Sequence, residues 1–404
     1  MRPPVALYIH FPFCVSLCPY CDFVVIAGSA ARGPRNRVSQ FVEALLIELE
    51  LRADALEAAF GPPGTRRRPA LSSVYIGGGT PSLLPGDEVA RLLAHVRERF
   101  GITGDAEITI EANPGPDERG DPAALRAAGV TRMSFGAQSF DDTELRKLGR
   151  RHRARQVVDA VVGARQAGIP SVNVDLLYDI PDTDMATWMR TLDAALDLAP
   201  DHLSLYALSL DDPIAEGLTG PDGDHLVTTK GARRWRDAVR PGQDEDRAAG
   251  QYHHAVVVLE DAGYRGYEIS NWARPGHESR HNLAYWERRP HEALGPGAHA
   301  FDGRDRRWTA ARLDRYIAAL AAVPASLPPG GSERIDGGAA AIEALILGLR
   351  LDTGVPLAAA HEPPLSDVFG WALAAELLTV TDDDRVVLTT RGRLLSNEVF
   401  SRLV

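Results

Sequence analysis

The sequence predicts an α/β protein: an incomplete barrel of six β/α units, then an extension, then a small winged-helix-like α+β tail. Two observations predict the barrel. Six strand-like runs, at 5–10, 74–77, 107–111, 131–135, 171–176 and 202–205, alternate with six helical patterns, at 38–59, 87–100, 121–128, 141–148, 155–167 and 184–198. Strands separated by helices imply parallel pairing through crossovers. Polar residues also recur at or just after the strands' C-terminal ends: His10, the stretch 77–80, Glu111, Gln138, Asp175 and Ser209. Barrel active sites are built at that end. An ordinary polar loop would account for one such residue, not for one on nearly every strand.

The remaining segments follow in chain order. Stretches 28–37 and 61–69, rich in Arg, Gly and Pro, read as surface insertions. A longer one, 211–246, reads as an exposed excursion. The pattern changes at 251: a helix over 252–262 leads to 264–270 and then to 277–299, dense in His and aromatic residues. The Pro/Gly-rich stretch 324–338 reads as a linker. Helices at 339–349 and 366–376, a hairpin at 378–389 and a helix at 391–403 make the tail. Its hairpin tip, 382–384, is all Asp, which favours packing or partner docking over DNA. The expected division is 1–210, 211–335 and 336–404, and no repeat of 20–50 residues is visible.

Composition limits the function. Of 404 residues, 45% are apolar and 25% charged, enough for a full core. Lys and Arg total 44 against 55 Asp and Glu, a formal charge of −11 that disfavours nucleic acid as a partner. No apolar run approaches the roughly 18 residues of a membrane span, which leaves peripheral membrane contact open. No secretory signal pattern is present, so a cytoplasmic protein is expected.

Three cysteines, Cys14, Cys18 and Cys21, fall within eight residues, directly after the first strand, and there are no others. An odd, clustered set in a reducing compartment is a metal site rather than a disulfide framework. Structural zinc takes four protein ligands, so zinc would need a histidine, with His10 nearby. An iron–sulfur cluster fits three thiolates better, leaving one iron of a 4Fe-4S cube without a protein ligand. An open metal position is where a substrate or cofactor binds.

At these residues the chain resembles the radical S-adenosylmethionine (radical SAM) superfamily, whose signature is CxxxCxxC with an aromatic, here Tyr20, before the last cysteine. The resemblance implies that SAM chelates the open iron and is cleaved to a 5′-deoxyadenosyl radical on reduction by an electron donor. Further segments narrow it: YIHFPF from Tyr8, YIGGGTPS from Tyr75, EANP from Glu111, SFGAQSF from Ser134, LGRRH from Leu148 and NVDLLYDIP from Asn173. Together they are similar to the oxygen-independent coproporphyrinogen III oxidase family. By that resemblance Tyr8, Tyr20, Gly78, Gly79, Thr80, Glu111, Gln138, Arg150, Asp175 and Ser209 contact SAM. The residue types suit the task. Glycines allow close backbone approach, carboxylates suit ribose hydroxyls or an ammonium group, and Arg150 suits a carboxylate.

The family divides, and this chain departs from the oxidase pattern. The oxidases carry a fourth cysteine two residues after the third; here that position is Phe23. They also carry an N-terminal segment before the first strand, which here starts near residue 5. The Asp22-Phe23 pair is similar to the family's heme-chaperone branch. That branch also has a His-Asn-x-x-Tyr-Trp element, present as His281, Asn282, Tyr285 and Trp286, and a GPGAH element ending in His299. Neutral imidazole is a common axial ligand of heme iron. The resemblance therefore implies heme as a further ligand, with His281, Tyr285 and His299 as candidate heme residues, and an acceptor protein for the heme. It implies no oxidative decarboxylation. Oxidation of coproporphyrinogen III, or another radical reaction on a tetrapyrrole, remains the alternative reading.

Overall fold

The computed structural model describes residues 1–31, 36–211 and 219–404; parts of the 28–37 and 211–246 stretches therefore lie outside the described residues. Six parallel strands lie side by side in chain order: β1 (Ala6–Phe11), β2 (Leu71–Gly78), β3 (Ile102–Ala112), β4 (Arg132–Gln138), β5 (Ser171–Tyr178) and β6 (His202–Ala207). Between them run α1 (Val38–Phe60), α2 (Gly86–Arg99), α3 (Pro122–Ala128), α4 (Asp142–Lys147), α5 (Ala154–Gln166) and α6 (Met185–Asp197). Alternation sorts the strand residues by face. Leu7, Ile9, Val74, Ile76, Ile108, Ile110, Val172, Val174, Leu203 and Leu205 join the main apolar core. The alternate positions are polar: Tyr8 and His10, Ser73 and Tyr75, Glu107 and Glu111, Arg132 and Ser134, Asn173 and Asp175, His202 and Ser204.

The polar face is concave. Tyr267 Oη meets His202 Nε2 of β6 at 2.9 Å and accepts from the Ser279 amide at 3.3 Å. Ser279 Oγ donates to Glu107 of β3 at 3.3 Å. In a flat sheet these two strands would be about 14 Å apart, at ~4.8 Å per spacing. The sheet has curled to bring them to one short segment. That segment continues into α7 (Arg280–Trp286), which sits on the N-terminal side of the barrel interior and closes it.

Three segments differ from the sequence reading. The His-rich stretch 277–299 contains β7 (His291–Leu294), a further parallel strand on the other side of β1. Antiparallel strands His299–Phe301, Asp305–Thr309 and Gly330–Arg334 then extend that edge. The last of these lies in the stretch expected to be a linker. Its glycines let it pair: a Cβ on Gly331 would come within 2.1 Å of the Trp308 ring. The opposite edge gains Asn271–Ala273 and Arg265–Gly266, so twelve strands among the described residues form one sheet. The third difference is the 211–246 stretch. Its helix Lys230–Val239 is no excursion; Trp235 and Val239 pack on Leu148, Leu177, Ile180, Leu208 and Leu210 over the barrel mouth.

The tail has its own core, built from Leu349, Val355, Leu365, Val368, Leu378, Val386 and Leu388 among others. Helices Gly337–Arg350 and Leu365–Ala374 pack with a three-stranded antiparallel sheet in which Arg385–Leu388 lies between Val355–Pro356 and Leu378–Val380. The expected helix 391–403 is two short ones, Thr390–Leu394 and Ser396–Phe400. The tail is tied to the barrel by Arg350 Nη2 on Glu268 Oε2 at 3.0 Å. Among the described residues, no helix is long and apolar enough to cross a membrane.

Candidate functional site

The strand ends converge on a cavity of about 480 Å³ at the C-terminal mouth of the barrel. All three cysteines line it. Their loop leaves β1, and its ends are held together where Phe13–Cys14 pairs with Ile26–Ala27. Within it the Cys21 amide donates to the Cys18 carbonyl at 3.1 Å. Cys14 is buried, Cys18 and Cys21 are half-buried, and all are free thiols. Burial pushes the Cys14 and Cys21 thiols up to about 12, so a metal binding them would have to displace their protons. Thr80 Oγ1 lies 3.2 Å from Cys14 Sγ, and Arg150 Nη1 donates to Cys18 Sγ at 3.4 Å. Hydrogen bonds to cluster sulfurs are one of the means by which proteins set a cluster's potential.

The zinc alternative loses its fourth ligand. His10 is buried, with Nδ1 at 2.9 Å from Tyr8 Oη and Nε2 at 2.8 Å from the Val24 carbonyl. Burial lowers it to about 4, a neutral ring with both nitrogens engaged. Among the described residues, no three His, Cys, Asp or Glu side chains are grouped to hold a single metal ion. A four-iron cube presents separate irons to separate thiolates, and this donor set fits it.

The polar groups around the cavity have spare bonding capacity. Gly78 has φ +108°, and a Cβ there would lie 2.5 Å from the His10 ring; on Gly79 it would lie 2.5 Å from the Phe13 carbonyl oxygen. Only bare backbone fits this turn. The Gly78 amide donates to Glu111 Oε2 at 2.9 Å, and Tyr75 Oη donates to Oε1 at 2.8 Å. Burial raises Glu111 to about 7, against the lowering effect of those two donors. Burial also raises Asp175, opposed by Ser204, Asn173 and Ser134. Gln138 stands at a register shift with φ +70°, a strained conformation for a side-chain-bearing residue, on the cavity wall. Arg150 Nε is buried with no partner among the described residues, and Tyr20 Oη has only the Cys18 thiol beside it. Buried polar atoms without partners are costly, and a polar ligand would satisfy them.

Of the ten positions expected to contact SAM, Tyr20, Gly78, Gly79, Glu111, Gln138, Arg150, Asp175 and Ser209 line the cavity. Ser209 is exposed at its rim. Tyr8 and Thr80 do not line it: Tyr8 is turned onto His10 inside the barrel, and Thr80 bonds Cys14. The sequence reading passed over Asn113. Its Oδ1 accepts from Arg150 and its Nδ2 donates to Thr80 Oγ1 at 3.0 Å, so it joins the partners of two cysteines. The available signal was its place two residues after Glu111. Arg132, a buried cation on the cavity wall, was also missed.

The heme candidates do not line the cavity themselves, although Asn282, next to His281, does, and Tyr75 of the cavity wall packs against the His281 ring. His281 is buried in the barrel floor, with Nδ1 at 3.0 Å from Ser73 Oγ and Nε2 at 2.9 Å from Tyr285 Oη. Burial lowers it to about 3. Trp286 stacks beneath the Arg350 guanidinium at 4.3 Å. His299 sits on the extended edge, 39% exposed, with Nε2 at 2.9 Å from Asp224 Oδ2 and its ring stacked on Trp308. None of the three candidates lines the cavity.

Comparison with known proteins adds relatives to this geometry. A family model described as the radical SAM superfamily matches residues 8–195. The protein named heme chaperone HemW of Mycobacterium tuberculosis is 37% identical over 403 residues, covering 99% of this chain and 95% of its own. Its namesake in Escherichia coli is 36% identical over 317 residues, covering 78% of this chain and 75% of its own. Among solved structures, coproporphyrinogen III oxidase (HemN) from Escherichia coli superposes with a TM-score of 0.78 at 23% identity, covering 100% of this chain and 90% of that one. At that identity the likeness speaks for the fold.

Proposed function

The chain belongs to the radical SAM superfamily and, within it, to the family of the heme chaperones HemW; from this premise we propose that it binds heme and passes it to an acceptor protein. The observation that carries the reading is the match over 99% of the chain, tail included, to a protein named for that role. The cysteine loop agrees with it. The position of the oxidases' fourth cysteine is Phe23, 61% exposed beside the cavity.

The cofactors of the superfamily are a 4Fe-4S cluster and SAM. When bound, the cluster supplies one electron to SAM and an open iron for its amino and carboxylate groups. In this chain Cys14, Cys18 and Cys21 would hold the iron. Glu111 and the Gly78–Gly79 backbone would take SAM's polar groups, and Asp175 its hydroxyl or cationic groups. Tyr20 and Arg150 have atoms left over for the same ligand. The strap helix Lys230–Val239 packs on the loop at Pro19, Tyr20 and Cys21.

For heme, His299 has the accessible imidazole. Partial burial lowers its pKa against the raising effect of Asp224, which orients the ring as a carboxylate–histidine pair of the kind that raises ligand basicity. His281 and Tyr285 belong to the same proposal on a condition: one bond of His281, to Ser73 or to Tyr285, must be given up. Oxidation of coproporphyrinogen III is the second reading, favoured by the barrel's likeness to that oxidase. Anaerobic reconstitution followed by two assays separates them. We expect saturable heme binding at about one per chain and no decarboxylated product from coproporphyrinogen III. Product formation, or heme association that never saturates, overturns the proposal.

A further inference from the structure

The strap over the barrel mouth holds a buried cation that the site described so far does not use. Arg236 lies in the helix Lys230–Val239 and is 2% exposed. Its Nε donates to the Pro19 carbonyl at 3.2 Å, and its Nη2 to the carbonyls of Tyr20 and Cys21, each at 3.1 Å. Its Nη1 donates to the Asp211 carbonyl. Among the described residues it makes no ion pair. A buried guanidinium without a carboxylate is costly, and here it is spent on backbone carbonyls. Three of the four belong to the cysteine loop, 217, 216 and 215 residues away in sequence. The Tyr20 side chain packs into the same apolar cluster as Trp235, so the strap grips the loop by backbone and side chain together.

We propose that Arg236 is a positioning residue of the cluster: it fixes the backbone between Cys18 and Cys21 and places a guanidinium, without an ion pair among the described residues, against the loop of the anionic iron–thiolate centre. This rests on the reading that the loop carries a 4Fe-4S cluster. Two consequences follow. With its carbonyls pinned, the loop presents Cys18 and Cys21 to the irons without paying ordering entropy at each loading. The nearby charge favours the reduced, more negative cluster. The stretch expected to be an exposed excursion is thereby a working part of the cofactor site.

The test uses the full chain, reconstituted without oxygen, as wild type, Arg236→Gln, Arg236→Lys and Arg240→Gln. Arg240 is on the same strap but donates to the Leu210 carbonyl and Asp211, not to the cysteine loop. Three quantities are read: the rate of iron loss to a chelator, the electron paramagnetic resonance spectrum of the reduced cluster, and its midpoint potential. Arg236→Gln is expected to lose iron about tenfold faster or more, as the loss of charged hydrogen bonds worth about 1.5–3 kcal/mol implies. Its spectrum should change and its potential should fall. Arg236→Lys should restore the potential more than the spectrum, because it keeps the charge and loses the fork. Arg240→Gln should match wild type. Wild-type values of all three quantities in Arg236→Gln overturn the proposal, as does unfolding of both Arg236 variants before cluster loading. Wild-type protein that takes up no iron overturns the cluster reading itself and this inference with it.

Discussion

The mouth and the floor of this barrel are both buried and polar, yet they differ in how their hydrogen bonds are used. At the mouth, Arg150 Nε has no partner among the described residues, Tyr20 Oη has only the Cys18 thiol beside it, Gln138 is strained, and Glu111 is raised to about 7. At the floor, Glu107 accepts from Ser279 Oγ and from the amides of Arg280 and His281, and both His281 nitrogens are taken. Unsatisfied capacity costs stability and is retained where a ligand will meet it. The Glu107–His281 joint is saturated and rigid, although Trp286 Nε1 at the end of the same helix has no partner among the described residues. Both regions looked like ligand sites in the sequence, because both are dense in polar and aromatic residues. The difference lies in their partners.

That contrast can be broken at its strongest point first. Cys18→Ala should abolish the visible absorbance of the reconstituted cluster, since no fourth cysteine replaces it. Stoichiometric zinc and no iron in anaerobically prepared protein would refute the cluster. Next, Glu111→Ala and Gly79→Val should each weaken SAM binding about tenfold to a hundredfold, measured by calorimetry, while the iron content holds. The magnitude follows from losing a charged hydrogen bond, or from forcing a Cβ against the Phe13 carbonyl. Wild-type affinity in both variants would show that the cavity's spare capacity serves something other than SAM.

At the floor the effect should fall on stability. His281→Ala leaves the Ser73 and Tyr285 hydroxyls without their imidazole, at a cost of about 2–3 kcal/mol in denaturant unfolding. Cluster and SAM binding should be unchanged. If His281 also ligates heme, the Soret band of the variant will shift, and if His299 is the ligand the shift will appear in His299→Ala instead. The smallest expected effect is a pH dependence. Glu111 titrates near 7, above an ordinary carboxyl, so the ligand-free fold holds its proton more tightly than the unfolded chain does. The stability this provides is complete below the usual carboxylate range and is lost as pH rises through about 7. Binding of cationic SAM runs the other way, because it wants Glu111 ionised. SAM affinity should therefore rise severalfold from pH 6 to pH 8 and be flatter in Glu111→Gln, with Tyr75, Asp175 and Arg132 as the neighbours that shape the curve.

Much of this protein was legible in its sequence. The six parallel strands, their order and the helices between them appear within a few residues of expectation, because burying one face of each strand against helices imposes a pattern visible in the order of apolar and polar residues. That the three cysteines share one loop was equally legible, because they fall within eight residues of one another. The structure then decided what depends on distant neighbours. β7 was hidden because four residues carry little periodicity, and Gly330–Arg334 because its glycines read as a linker until Trp308 lay against them. His281 could not be told from an exposed ligand, since its burial comes from Ser73, 208 residues away, as well as from nearby Tyr285. Arg236 had no local signal, because carbonyls are the same on every residue and only folding brings those of the cysteine loop within its reach. Local chemistry and periodicity are written in the chain, whereas hydrogen-bond saturation is a property of side chains and carbonyls that meet only when it folds.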